Sequence, residues 1–170
     1  MSVEVSYKKQ TVLVLLLFFV ILVVVEAIAT LFVMNITVCK FKDSELFENT
    51  DPKLLEKICD DYLSLHRTYN EYYQLTPNQY FDTISINEFG FRGLDFSYEK
   101  PQNTFRIFMV GGSTVFGVGS SSDETTIPGY LQKNLNDFSL SSSIQIINAG
   151  YPSANSLSES KLVKDVLLQF

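Results

Sequence analysis

Met1–Phe170 reads as an α/β domain with parallel strands behind one membrane-spanning helix, and three observations carry that reading. Val12–Val25 is fourteen apolar residues without interruption. After Pro101 the chain alternates short apolar runs with amphipathic stretches: Phe105–Val110, Thr126–Phe138, Ile144–Ile147 and Ser156–Phe170. The first of these runs stops abruptly at Gly111-Gly112-Ser113-Thr114. Strand, helix and strand over Phe105–Asn148 make a βαβ unit, for which parallel pairing and a right-handed crossover are the rule.

The N-terminal segment comes first. As a helix, the 23 residues Val12–Met34 extend roughly 34 Å, enough for a hydrocarbon core about 30 Å thick. Glu26 interrupts the run. A mid-membrane charge costs about 2.5–3.5 kcal/mol, while each Val, Leu, Ile or Phe returns about 0.3–0.6 kcal/mol. Eighteen such residues outweigh one carboxylate. Lys8 and Lys9 before the run, with Ala27-Ile28-Ala29 after it, also fit a cleaved signal peptide. The apolar run Leu31–Met34 beyond that cut argues for a retained anchor. Lys8 and Lys9 then place the N-terminus inside and the rest outside; Lys40 and Lys42 on the other flank weaken the asymmetry. Asn35-Ile36-Thr37 matches a glycosylation acceptor set very close to the membrane.

The segment to Lys100 is polar and rich in aromatics. Asp51-Pro52 opens a helix with Leu54, Leu55, Ile58, Tyr62 and Leu65 on one face, running to about Tyr69. Six of the nine tyrosines lie between Tyr62 and Tyr98, interspersed with Phe81, Phe89, Phe91 and Phe96. Such density suits a sugar-stacking platform, and more commonly the packing of a connector onto its neighbour. His66, the sole histidine, falls on the predicted helix as a surface or partly packed side chain. Cys39 and Cys59 allow a disulfide outside the cytoplasm or two thiols inside it.

In the α/β region Ile107–Val110 is continuous, β-rich and too short for a helix. Gly111 and Gly112 permit a sharp turn that presents Ser113 at the carboxyl end of the strand, where open α/β sheets do their chemistry. Thr126 is a suitable N-cap, and Pro128 is tolerated in the first turn that follows. Ile127, Tyr130, Leu131, Leu135 and Phe138 share one face of that helix; Leu157, Val163, Val166, Leu167 and Phe170 fall at helical spacing in the next, Ser156–Phe170. Ser113 and Gly150 each lie three residues beyond their predicted strands, so parallel pairing brings a hydroxyl and an unencumbered N–H to one sheet edge. That pair is a nucleophile and an oxyanion donor.

Several functions are excluded. The net charge of −6 and the scattering of thirteen basic residues argue against nucleic acid, which needs clustered Lys and Arg. No Cys/His cluster builds a metal site, and no cofactor motif is complete. Walker A lacks its lysine. G-x-G-x-x-G fails where Ser122 replaces the third glycine, and G-x-S-x-G fails at Val115. Ser158-Glu159-Ser160-Lys161 fits S-x-x-K, without the companion motifs.

Taken together, Ile86-Asn87-Glu88-Phe89-Gly90-Phe91-Arg92-Gly93, Phe105-Arg106-Ile107 leading into Gly111-Gly112-Ser113-Thr114, and Ile147-Asn148-Ala149-Gly150 resemble the start of an SGNH, or GDSL-type, hydrolase domain in its membrane-anchored form. The resemblance covers about half the chain. It implies a three-layer, flavodoxin-like parallel-sheet domain that hydrolyses ester or acyl groups, with an acylated polysaccharide, lipid or small ester as substrate. Ser113 maps to the nucleophile and a backbone oxyanion donor, and Gly150 to a second oxyanion donor. The family's aspartate before the serine is Gly112 here. Its later asparagine and its Asp-x-x-His block do not occur before Phe170, so the domain is expected to be incomplete and inactive as it stands. The implied divisions are a 1–11 tail, a 12–34 anchor, a 35–100 connector and a 101–170 N-terminal portion of the hydrolase domain. The bilayer is then a partner and the domain extracytoplasmic. Acyl transfer to a cell-surface glycan and a non-catalytic anchored binding module are the competing functions.

Overall fold

A computed structural model describes residues 6–36, 39, 41, 44–68, 75–137 and 142–170. The chain divides into two units, Met1–Lys40 and Phe41–Phe170. The first holds α1 (Tyr7–Ile36), whose described side chains are all exposed. Its stretch Tyr7–Val33 is long and apolar enough to cross a membrane. Thr37 of the glycosylation triplet lies outside the described residues.

The second unit is mixed α/β. Helix α2 (Pro52–Ser64) begins as expected, with Asp51 accepting from the Lys53 N–H and Pro52 in the first turn. Ile58 and Leu65 are buried, and Leu54, Leu55 and Tyr62 half-buried, on the predicted face. Tyr69 lies outside the described residues. Strands β1 (Gln79–Tyr80) and β2 (Ser85–Ile86) form an antiparallel hairpin. Strand β3 (Thr104–Gly111), the single turn α3 (Ser113–Phe116), α4 (Ile127–Asn136), β4 (Ser143–Gly150) and α5 (Ser156–Asp165) follow. Thr126 caps α4 through Gly129 N–H. The loop expected at Ser139–Ser143 and the helix end at Phe138 fall largely outside the described residues.

Strands β3 and β4 are parallel, with Thr104 opposite Ser143 and Gly111 opposite Gly150. Both are longer than their apolar runs, because polar Thr104, Ser143 and Asn148 and the terminal glycines also join the ladder. Phe108, Val110, Ile147 and Ala149 share one face, packed against Leu162 and Leu167 from the α5 region. The connector aromatics complete this core. The Phe170 ring centroid lies 5.1 Å from that of Phe89, 5.6 Å from Phe96, 5.0 Å from Tyr98 and 5.6 Å from Phe108. The connector is therefore part of the packed unit. On the opposite face Phe105 and Ile107 remain 65% and 41% exposed. The predicted helix faces need correction too: Ile127, Tyr130, Leu157 and Val163 are exposed.

The two sheet edges differ. Ser143 N–H donates to Asn103 C=O, and Tyr151 N–H to Gly111 C=O. In a parallel ladder alternate residues bond the same neighbour, so Phe105, Ile107 and Met109 face β4 while Arg106, Phe108 and Val110 face away. On the far edge of β4 the Gln132 amide takes Ile144 C=O at 3.0 Å and Ile146 N–H at 2.7 Å. Arg92 N–H takes Asn148 C=O at 3.3 Å. Among the described residues, no strand pairs with the outer edge of β3.

Candidate functional site

The site begins where β3 ends. Ser113 is the first residue of α3, two positions past Gly111, with Gly112 as N-cap. It is exposed. A Cβ at Gly112 would meet only Ala154 C=O, at 3.7 Å, and φ there is −80°, so this glycine is not sterically required. Gly117 is required. It closes α3 at φ 87°, and a Cβ there would press on Thr126 and Ser120. Its N–H and that of Val118 both bond Ser113 C=O, at 2.9 and 3.0 Å.

Behind this turn lies a buried polar clamp that sequence reasoning did not assign. Arg92 is 2% exposed. Its Nε donates to Asp123 Oδ1 at 2.7 Å, Nη1 to Phe116 and Gly117 C=O at 3.1 and 2.8 Å, and Nη2 to Thr83 and Ser122 C=O at 2.9 and 3.3 Å. The guanidinium also stacks over the Phe116 ring at 5.0 Å. A planar fork with five donors suits such a cluster of carbonyls, which a lysine does not satisfy. Burial pushes the Arg92 pKa below its ordinary value, and the hydrogen bond and charge of Asp123 oppose that shift. Asn87 sets the clamp: its Oδ1 accepts from Phe89 and Phe91 N–H at 3.0 Å each, folding the Asn87–Gly93 segment around Gly90 at φ 81°.

Asn148 supplies the second clamp. Its Nδ2 donates to Phe116 C=O at 3.2 Å, and its Oδ1 accepts from Gly150 N–H at 3.0 Å. The unencumbered N–H expected at Gly150 is therefore already committed. Gly150 is also the last residue of β4, not three positions beyond its strand. It acts by its missing side chain, because a Cβ would collide with the backbone of Phe116 and Val115. The parallel register does bring the two strand ends together at the edge that carries Ser113. The signals for the clamp were in the sequence, as one arginine among aromatics and one asparagine in a strand.

Among the described residues, no side chain hydrogen-bonds the Ser113 hydroxyl. His66 follows α2 instead of lying on it, is exposed, and lines a cleft with Tyr62, Leu63, Leu65 and Arg67. Its backbone is pinned by the Gln79 amide, which accepts from His66 N–H at 2.7 Å and donates to His66 C=O at 3.0 Å. No group of His, Cys, Asp and Glu among the described residues is arranged to hold a metal. Cys39 and Cys59 are disulfide-bonded. No protein-family model and no curated protein matches the chain.

Proposed function

We propose that this chain is the nucleophile-bearing, N-terminal part of an SGNH-like serine hydrolase domain, held at a membrane by Val12–Met34 and directed at ester or acyl groups. One observation carries the reading: an exposed serine hydroxyl stands at the carboxyl end of a parallel strand, on a turn fixed from behind by Arg92 and Asn148. Ligands of open α/β sheets bind at that end. Ser113 Oγ is then the attacking atom, with its proton passing to a base and the alcohol leaving. Its own backbone N–H faces the developing oxyanion. Gly150, with its N–H committed, shapes the edge. The disulfide-bonded cysteines favour an oxidising, extracytoplasmic setting.

The unpaired edge of β3 and the exposed Phe105 and Ile107 beside it support a sheet that continues past β3 in the complete domain. The base would arrive with that continuation. A serine needs a base within about 2.6–3.2 Å to attack at neutral pH, and His66 is not placed to serve. The same observation favours, as a second reading, a non-catalytic anchored module.

The test is covalent labelling. A fluorophosphonate, with imidazole added as an external base, should phosphonylate Ser113 with loss of fluoride, as located by peptide mass. The Ser113→Ala variant should lose that adduct, and the chain alone should hydrolyse short aryl esters negligibly. Adducts spread evenly over other exposed serines would remove the nucleophile assignment and leave the module.

A further inference from the structure

Helix α1 carries one carboxyl group at a depth from which its side chain does not reach water. On the membrane-span reading of Val12–Met34, Glu26 lies three residues from the midpoint Val23, about 4.5 Å along the axis. That leaves on the order of 10 Å of hydrocarbon to the nearer interface. Long Lys and Arg stems snorkel across such distances, and a glutamate is too short. Leu22, Val23, Ala29 and Thr30, one turn to either side, include no cation. The Thr30 hydroxyl is turned back onto the Glu26 backbone C=O at 2.8 Å.

The helix also narrows here. Ala27, Ala29 and Thr30 follow fourteen Val, Leu, Ile and Phe residues, and small residues let a second backbone approach closely. All these side chains are exposed. We propose that the Glu26–Thr30 face of α1 docks a second membrane span that carries a lysine or arginine at the matching depth. Charge complementarity selects this occupant. A second copy, inserted in the same direction, sets Glu26 against Glu26. Its nearest basic residue on the helix, Lys9, is seventeen positions away, roughly 25 Å.

The proposal rests on the membrane-span reading, and the experiment separates the two. The full chain, donor-labelled at its N-terminus, is reconstituted into phosphatidylcholine vesicles with acceptor-labelled Leu/Ala model spans bearing Lys, Leu or Glu at the centre. Extraction at alkaline pH comes first. A chain released by it overturns the span reading and the docking with it. For a retained chain, energy transfer should report association with the Lys span about fivefold tighter than with the Leu span. Glu26→Gln should reduce that to the Leu level. Ala29→Leu should weaken it with the charge intact, by blocking close approach. A retained chain that binds Lys and Leu spans equally overturns the docking alone. So does self-association without any model span that Glu26→Gln abolishes, which would assign the face to a second copy.

Discussion

Replacing Arg92 with alanine removes every donor of the clamp at once. The arginine side chain is 0% exposed and its partner Asp123 19% exposed, so little solvent replaces what is lost. The Thr83 and Gly117 carbonyls lose their side-chain donor, while Phe116 C=O keeps Asn148 Nδ2 and Ser122 C=O keeps Thr125 Oγ1. Asp123 keeps only the Ser85 N–H, at 3.1 Å to Oδ2. Removing one member of a buried ion pair costs about 3–5 kcal/mol. With a urea dependence near 2 kcal/mol per molar, the expected value of about 4 kcal/mol lowers the urea midpoint by about 2 M. Arg92→Lys keeps the charge but not the fork, and about half that loss is expected. The double variant Arg92→Ala/Asp123→Ala should be less destabilised than the sum of the two single changes, because the carboxylate is no longer left unpaired. Far-UV circular dichroism of the full chain through a urea titration gives all four values. A midpoint shift under 0.5 M for Arg92→Ala, on the order of 1 kcal/mol, would show that the clamp does not hold the Ser113 turn.

Two further predictions concern single positions. Gly150→Ala should destabilise by about 1–3 kcal/mol or more, since its Cβ meets rigid backbone that moves only with α3. Gly112→Ala, with only Ala154 C=O at 3.7 Å, should be nearly neutral, and thermal melts of the pair separate the cases. Glu124 is held below its ordinary 4.5 by a hydrogen bond from the Ser122 side chain, then by its own backbone N–H and the Arg92 charge. A depressed carboxylate stabilises above its unfolded pKa, and that contribution fades as pH falls through the folded value. Glu124→Gln should therefore flatten the melting temperature profile below about pH 4.5. An unchanged acid limb would dismiss that carboxylate as a contributor.

The strand, turn and helix around Ser113 were legible because each depends on local chemistry. A continuous apolar run, two glycines and a threonine cap act within a few residues of themselves. Arg92 was not legible in the same way. Its partners Phe116 and Asp123 lie 24 and 31 residues downstream, and a lone charge between aromatics ordinarily reads as solvated. The state of the Gly150 N–H turned on the Asn148 side chain, two residues away, which period-2 patterning places in a strand without saying what it bonds. Leu157 and Val163 show the remaining limit. Their spacing does put them on a helix, but periodicity does not say whether anything covers a face.

The unequal sheet edges give the last prediction. Both strands turn alternate backbone groups outward; on β4 Gln132 and Arg92 N–H answer them, whereas on β3 Lys100 Nζ takes Thr104 C=O at 2.9 Å and, among the described residues, no strand pairs with the rest of the edge. In β3 the outward amides are those of Arg106, Phe108 and Val110, while Ile107 and Met109 donate to β4. Hydrogen exchange should therefore alternate along β3, with the inward amides slower by on the order of 100-fold. Ile146 N–H should be protected, and Gln132→Ala should release it without changing the inward β3 amides. Uniform protection across Arg106–Val110 would mean that the edge is already covered, with no room for a sheet that continues past β3. The alternation bears directly on Ser113. If a further parallel strand joins β3, β3 becomes interior, and the serine at its end is flanked on both sides by strand ends whose loops face the same rim. On the proposed hydrolase reading, a base delivered from the added side would meet Ser113 at the head of a turn whose Phe116 and Gly117 carbonyls are already held by Arg92 and Asn148.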